Sequence, residues 1–344
     1  MALTLERIEP AAADWERMDA FADRVVFQTR EWLGFLARTQ QAEPVVAAVM
    51  DGRECVGYFT GLIVRRMRIR ILGSPFPGWT TESMGFNLVA DASRREAAAA
   101  LLPFAFRTLG CAHVELKDRR LQTDELRGLG YTSEPKRTFE VDLSGEETEI
   151  FGRMSSACRR AVRRGEKVGV SVEEVHGSAF ADEYYQQLVE VFARQSLVPP
   201  YGVERVRALI ESLDGTGRLL LVRARSAEGP PIASAIFAAF NGTAYFWGGA
   251  SVREHQILRP NEAMFWYAMR YWRVRGMTVL DLGGGGEYKR RYGPREVSVP
   301  FFRRSRFPGL PLLRQIARVA VDRRHAWLGR RRRGAYERPP TRSL

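Results

Sequence analysis

The sequence predicts an α+β fold laid down twice in one chain, on three observations. First, residues 94–116 and 261–282 follow one order: a helical stretch, a glycine that stops it, and a short apolar strand ending beside an acid. In register, Arg107 matches Arg273, Gly110 matches Gly276, Glu115 matches Asp281 and Leu116 matches Leu282. Second, each copy follows a hairpin pattern. In the first half, strands 44–50 and 54–64 flank Asp51-Gly52; in the second, strands 218–225, 232–240 and 243–248 are punctuated by 227–230 and by Asn241-Gly242. Third, each half opens with helical spacing, over 14–38 and 179–195. Neighbouring strands joined by turns give mixed, mostly antiparallel sheets with flanking helices. The strand 138–143 closes the first half, and Ser144-Gly145 reads as its turn. The expected division is 1–145, 146–305 and a tail, 306–344.

Composition narrows the class. The chain has 344 residues, of which 45% are hydrophobic and 27% charged, as in globular proteins with ordinary cores. Its formal net charge is +13, which favours acidic partners such as nucleic acid, anionic lipid or phosphate-bearing metabolites. Much of that excess lies in the arginine-rich end. Leu310, Leu312, Leu313, Ile316, Val319 and Trp327 alternate there with arginines, and the pattern reads equally as a membrane-surface helix or as a disordered end. Cys55, Cys111 and Cys158 are widely spaced and odd in number, which argues against a disulfide framework or a zinc site. The start of the chain has no signal-peptide pattern, and no apolar run reaches spanning length. The expectation is a cytoplasmic protein, with peripheral contact at the inner face of the membrane as the role of the tail.

Chemistry concentrates where the apolar run 278–282 meets four glycines, Gly283 to Gly286, followed by Tyr288, Lys289 and Tyr292. A glycine backbone without side chains approaches a ligand closely. Lys289 is the first candidate, its cation set beside developing negative charge or a phosphate. Tyr288 and Tyr292 lie four apart, on one face if the segment is α-helical; each is a phenol donor or a packing residue. Asp281 either orients an amine, pairs with Lys289, or only caps the loop. After the half-boundary, Ser155 or Ser156 caps a short helix. Its Arg159, Arg160 and Arg163 either dock a phosphate or carboxylate or form a solvated basic face. His255, one of four histidines, is a base near neutral pH or an exposed loop residue. Asn261 reads as a helix cap with Glu262 in the same helix end. Pro75-Phe76-Pro77-Gly78-Trp79 is a stiff aromatic loop. No Ser-His-Asp order, P-loop or metal-ligand cluster is present in the sequence.

Four segments in this order resemble the FemAB-like branch of the GNAT acyltransferase superfamily, which includes CelD/BioF-like domains. They are Phe27-Gln28-Thr29-Arg30-Glu31-Trp32; the run 154–167 with its arginines; Gly248-Gly249-Ala250-Ser251 followed by Pro260-Asn261-Glu262; and Asp281-Leu282-Gly283-Gly284 followed by Tyr288-Lys289-Arg290-Arg291-Tyr292-Gly293. The resemblance covers roughly residues 26–302. It implies two tandem GNAT-like domains and attack of an amine on an activated acyl carbonyl. The donor implied is an acyl-coenzyme A thioester or, in the alternative, an aminoacyl-tRNA. The acceptor implied is an amine, on a cell-envelope or polysaccharide precursor. It makes Lys289 the motif lysine at the donor/acceptor site, sets Asn261 near the cleft and has the loop of Trp79 line the acceptor cleft. With the residues read above, the expected set is Lys289, Tyr292 and Asp281 at the reacting centre, and Arg159, Arg160, Arg163, Tyr288, His255, Asn261, Gly283, Gly284 and Trp79 binding substrate. The usual coenzyme A signature is absent: Arg107-Thr108-Leu109-Gly110-Cys111-Ala112 fits its letters but ends a helix and begins a strand, which removes the helix N-terminus a pyrophosphate needs. The rival class is a non-catalytic basic module that binds nucleic acid or a membrane surface.

Overall fold

The computed structural model describes residues 2–66, 69–227 and 229–307; beyond residue 307 the expected basic tail lies outside the described residues. In the first half the order is β1 (Thr4–Ile8), α1 (Trp15–Asp19), α2 (Arg30–Gln40), β2 (Glu43–Asp51), β3 (Glu54–Arg66), β4 (Ile69–Ser74), β5 (Gly85–Leu88), α3 (Arg94–Pro103), β6 (His113–Leu116) and β7 (Thr132–Asp142). The second half has α4 (Glu147–Arg153), α5 (Ser156–Lys167), β8 (Ser171–Val175), α6 (Phe180–Arg194), α7 (Val203–Leu213), β9 (Leu219–Arg225), β10 (Pro231–Phe240), β11 (Thr243–Ser251), α8 (Pro260–Val274), β12 (Val279–Asp281) and β13 (Arg295–Ser305).

The thirteen described strands join one sheet, in the order β1-β2-β3-β4-β6-β13-β7-β12-β11-β10-β9-β8, with β5 also on β3. The two ends of this order mirror each other. β4 runs parallel to β6 as β11 runs parallel to β12, and the other neighbours are antiparallel. The two final strands are crossed. β13, last in the chain, pairs with β6 of the first half, while β7 of the first half pairs with β12 of the second. β7 and β13 then pair with each other along nine positions, from Arg295↔Glu140 to Arg303↔Thr132.

Period-two alternation explains how one sheet carries its cores. On β2, Val46 and Ala48 face one layer, and Val45, Ala47 and Val49 face the other. On β10, Ile236 and Ala238 join the first layer, while Ala235, Phe237 and Ala239 face a third cluster. The first layer spans both halves, where α7 packs against both α2 and α6. The opposite face is split, with α3 covering the first half and α5 and α8 covering the second.

The repeat read from the sequence occupies equivalent places. α3 runs on through the turn Phe104–Thr108 to Gly110, and α8 ends at Gly276; both glycines are left-handed, at φ 64 and 81. Gly110 opens onto β6, so the signature-like letters at 107–112 do end a helix and begin a strand. The expected helix 14–38 is broken into α1, the 3₁₀ turn Val26–Gln28 and α2, because Asp14 and Thr29 each cap a separate segment. Ser155 caps α5 through the amide of Cys158 at 3.2 Å.

One asymmetry matters. Along β10, β11 is continuous apart from a bulge. Along β3, the corresponding edge is shared by β4 and β5. The excursion between them, residues 75–84, carries Trp79 and Glu82.

Because β7 and β13 each complete the other half, the halves are not separable. Residues 1–145 expressed alone present β7 without β12 or β13 and β6 without β13. The expected product is insoluble or unfolded by circular dichroism; a soluble cooperative domain would contradict the crossed pairing.

Candidate active site

A cleft of about 180 Å³ opens where β11 and β12 part. Their pairing stops at Tyr245↔Asp281, yet β11 continues to Ser251. Its register with β10 slips between Ile236 and Phe237: Ile236 faces Gly248 and Phe237 faces Phe246. Trp247 is therefore the extra residue of a β-bulge, left without a cross-strand partner. Tyr245 and Trp247 keep the alternation, both facing the layer shared by the two halves, while Phe246 packs with Phe237 and Phe265 in the opposite layer; all three reach the cleft. The first half supplies Phe27, Trp32, Thr80 and Glu82 to the opposite wall; Asp281, Leu282, Gly283 and Lys289 complete it.

Lys289 sits on the 3₁₀ turn Glu287–Tyr292 and is 6% exposed. Its ammonium donates to the carbonyl oxygen of Leu282 and, at 3.4 Å, to that of Gly283. Gly283 adopts φ 75, which the turn back towards Lys289 requires. Burial pushes the Lys289 pKa down to about 8, against the opposing pull of Asp281 and Glu82. Asp281 does not ion-pair with Lys289. Its carboxylate accepts from Arg119 at 2.8 Å, from the Thr138 hydroxyl and from the Gly283 amide at 2.8 Å. Arg119 also binds Glu140, a buried acid on β7 that takes two further bonds from Arg295, at 3.1 and 2.8 Å. This chain of charges links the first half to β12 and β13. Glu82 pairs with Lys117, and burial holds its carboxyl above the usual range. The indole Nε1 of Trp247 and the hydroxyl of Tyr245 are buried with no partner in hydrogen-bond geometry.

The residues singled out from sequence divide by place. Lys289, Asp281 and Gly283 line the cleft. Gly284 backs it: a Cβ there would overlap the Arg137 carbonyl on β7. Tyr292 is 1% exposed and packs at 4.6 Å on Phe265 in the core. Tyr288 is 47% exposed. In a 3₁₀ turn, residues four apart point about 120° apart, so the two tyrosines do not share a face. Trp79 packs on Phe76 at 4.7 Å, and its carbonyl accepts from Arg205 at 2.6 Å, next to the cleft residues Thr80 and Glu82. Arg159 donates to the carbonyls of Gly152 (2.8 Å) and Met154; Arg160 and Arg163 are exposed on α5 and do not line the cleft. His255 lies half-buried in the 3₁₀ turn Arg253–Leu258, away from the lining residues. Asn261 does not cap α8. It sits one residue inside the helix and donates to the Ser251 hydroxyl at 3.1 Å, which ties α8 to the end of β11.

Glu82, Tyr245, Trp247 and Arg119 were not singled out from sequence. Glu82 follows a stiff loop that was, and Tyr245 and Trp247 read as ordinary alternating strand residues. The Phe27–Trp32 motif takes on physical meaning. Phe27 meets Trp32 at 4.8 Å and Tyr245 at 4.5 Å, while Gln28 is buried and donates to the Gly85 carbonyl at 3.3 Å. Among the described residues, no cluster of acids, histidines and cysteines could hold a metal ion, and no helix is long and apolar enough to cross a membrane.

A family model described as acetyltransferase (GNAT) domain matches residues 152–292. Solved structures share the fold over about nine-tenths of the chain. FemX superposes with a TM-score of 0.71 at 15% identity, covering 90% of this chain and 99% of its own. The L-PGS of Bacillus licheniformis gives 0.55 at 15% identity, with 90% and 97% covered. A tandem GNAT protein from the clavulanic acid biosynthesis pathway gives 0.55 at 12%, with 89% and 99% covered. No curated protein sequence matches the chain.

The Arg119 bridge is testable by stability. Arg119→Ala leaves Asp281 and Glu140 short of their buried partner and should cost about 3–5 kcal/mol, read as a lower urea midpoint at unchanged slope. A loss below about 1 kcal/mol would mean that the bridge behaves as a surface pair.

Proposed function

We propose that this chain, a tandem GNAT-fold protein whose residues 152–292 match a GNAT acetyltransferase domain, is an N-acyltransferase that joins an acyl group to an amine in the β11/β12 cleft. The observation that carries this reading is the desolvated Lys289 cation facing the free edge of β11 at the bulge. Acyl transfer to an amine needs positioning, proton removal and stabilisation of an oxyanion. The Lys289 ammonium supplies the positive group for that oxyanion. Glu82, with its raised pKa, accepts the proton of the attacking amine; an acid tuned towards neutrality suits this role. The aromatic wall excludes water, and the volume suits a small acyl or aminoacyl group, with the carrier outside. The acceptor class we favour is an amine on a cell-envelope or polysaccharide precursor.

The donor of the lead reading is an acyl-coenzyme A thioester. A second reading, an aminoacyl-tRNA ester, is favoured by the start of α8, the helix that follows β11. Its N-terminus is closed to a pyrophosphate: Pro260 has no amide hydrogen, Asn261 is tied to Ser251, and the buried acid Glu262 fills the first turn with Arg291 at 2.7 Å.

Two kinetic outcomes test the site. Lys289 is charged below about pH 8 and neutral above, so kcat should fall as pH rises through about 8. Lys289→Arg should move that fall beyond pH 10, since a guanidinium stays protonated, and Lys289→Ala should lower kcat by about 10²–10³. An unchanged profile in Lys289→Arg would remove the cation from the mechanism. Glu82→Gln keeps the shape and removes the base; kcat should drop by about 10²–10⁴ with KM little changed. Full activity in Glu82→Gln would assign proton removal elsewhere.

A further inference from the structure

The exposed face of α5 gathers four cations on one side of a single helix. At about 100° per residue, Cys158, Ala161, Val162 and Gly165 form the buried side. Arg160, Arg163, Arg164 and Lys167 fall within an arc of about 100° on the opposite side, and all four are exposed. None of these four has an ion-pair partner among the described residues, although Arg163 lies over the Phe151 ring at 5.4 Å. Arginines on β9 behave otherwise, for Arg223 and Arg225 are paired with Glu173, and Arg223 also with Glu183. Glu166, the one acid of α5, lies off the arc. Two exposed aliphatic side chains lie near α5, one of them next to the cations. Val168, at the C-terminal end of α5, is 40% exposed. Ile257, 62% exposed, belongs to the turn Arg253–Leu258, which meets the buried side of α5 at Gly165.

From this arrangement we infer that the α5 face is a docking surface for an anionic lipid bilayer. Unpaired cations keep their charge for a partner, and a negatively charged leaflet attracts each of them. Ile257 and Val168 give that surface apolar side chains to insert. Their aliphatic character suits acyl chains, whereas single-stranded nucleic acid binds on aromatic side chains that stack on its bases. The start of α5 is tied to the segment that carries Lys289, for the Ser155 amide donates to the Arg291 carbonyl at 2.9 Å, two residues beyond it.

Flotation of the full-length protein with vesicles tests this without any substrate, so its failure leaves the acyltransfer reading untouched. Phosphatidylcholine vesicles containing phosphatidylglycerol should carry the protein at about 0.15 M salt, and vesicles of phosphatidylcholine alone should not. Each cation near the surface contributes about fivefold, so replacing all four by Gln should weaken binding by several hundredfold, and replacing them by Lys where they are Arg should preserve it. Ile257→Ser should weaken binding without changing its dependence on salt. A near-ultraviolet circular dichroism spectrum unchanged from the wild type confirms that the variants are folded. Equal binding by the Gln variant, binding to neutral vesicles, or a Gln variant that loses RNA-oligonucleotide binding while keeping vesicle binding would each overturn the inference.

Discussion

The crossed pairing of β7 and β13 is the constraint on which the rest depends. Each of these strands completes the sheet of the half it does not belong to in sequence, and the two pair along their length. A register slip of one residue would turn every side chain to the other face, so the pairing fixes how the halves meet. Glu140 on β7 shows the consequence. It faces Asp281 on β12 and Arg295 on β13 at paired positions, and Arg119 bridges the first two acids. The cleft inherits its geometry from that junction, with Phe27, Trp32 and Glu82 on one wall and Asp281 and Lys289 on the other.

The two halves share one plan and use it differently. In the second, β11 outruns β12 and a bulge opens the space between them. In the first, the corresponding edge is broken by the excursion 75–84, and the neighbouring region is filled: Asp118, its carboxyl raised by burial, accepts from the Phe86 amide at 3.0 Å and from Arg94 at 2.6 Å. A Cβ on Gly85 would press on that same carboxylate. The first half thus commits its version of the site to packing and sends its loop across to the second.

Much of this was legible in the sequence because its signals are local. Helix-ending glycines, the turns Asp51-Gly52 and Asn241-Gly242, and alternation along the strands give the α+β order and the repeat. The glycine run before Lys289 marks the point where a strand stops at a ligand-sized gap. What escaped depends on distant pairing. β13 reads as an unremarkable segment with a proline, and nothing local says that it crosses to β6. Trp247 alternates like any strand residue, and only the parting of β11 from β12 makes it a cleft residue. Tyr292 sits four residues after Tyr288, but a 3₁₀ turn sends it into the core. Glu82 lies in an irregular loop without a motif, and only the junction of the halves brings it within reach of Asp281 and Lys289.

The desolvated ammonium of Lys289 joins fold to chemistry, and its own titration is the most direct test. Nuclear magnetic resonance of the lysine side-chain carbons, with Lys289→Arg to assign the signal, reads it without a donor or an acceptor. The account predicts a pKa of about 8, from burial between the Leu282 and Gly283 carbonyls and the aromatic wall. Titration at about 10.4, the value of a solvated lysine, would mean that water fills the cleft and that the site is not the dry, charge-bearing pocket described.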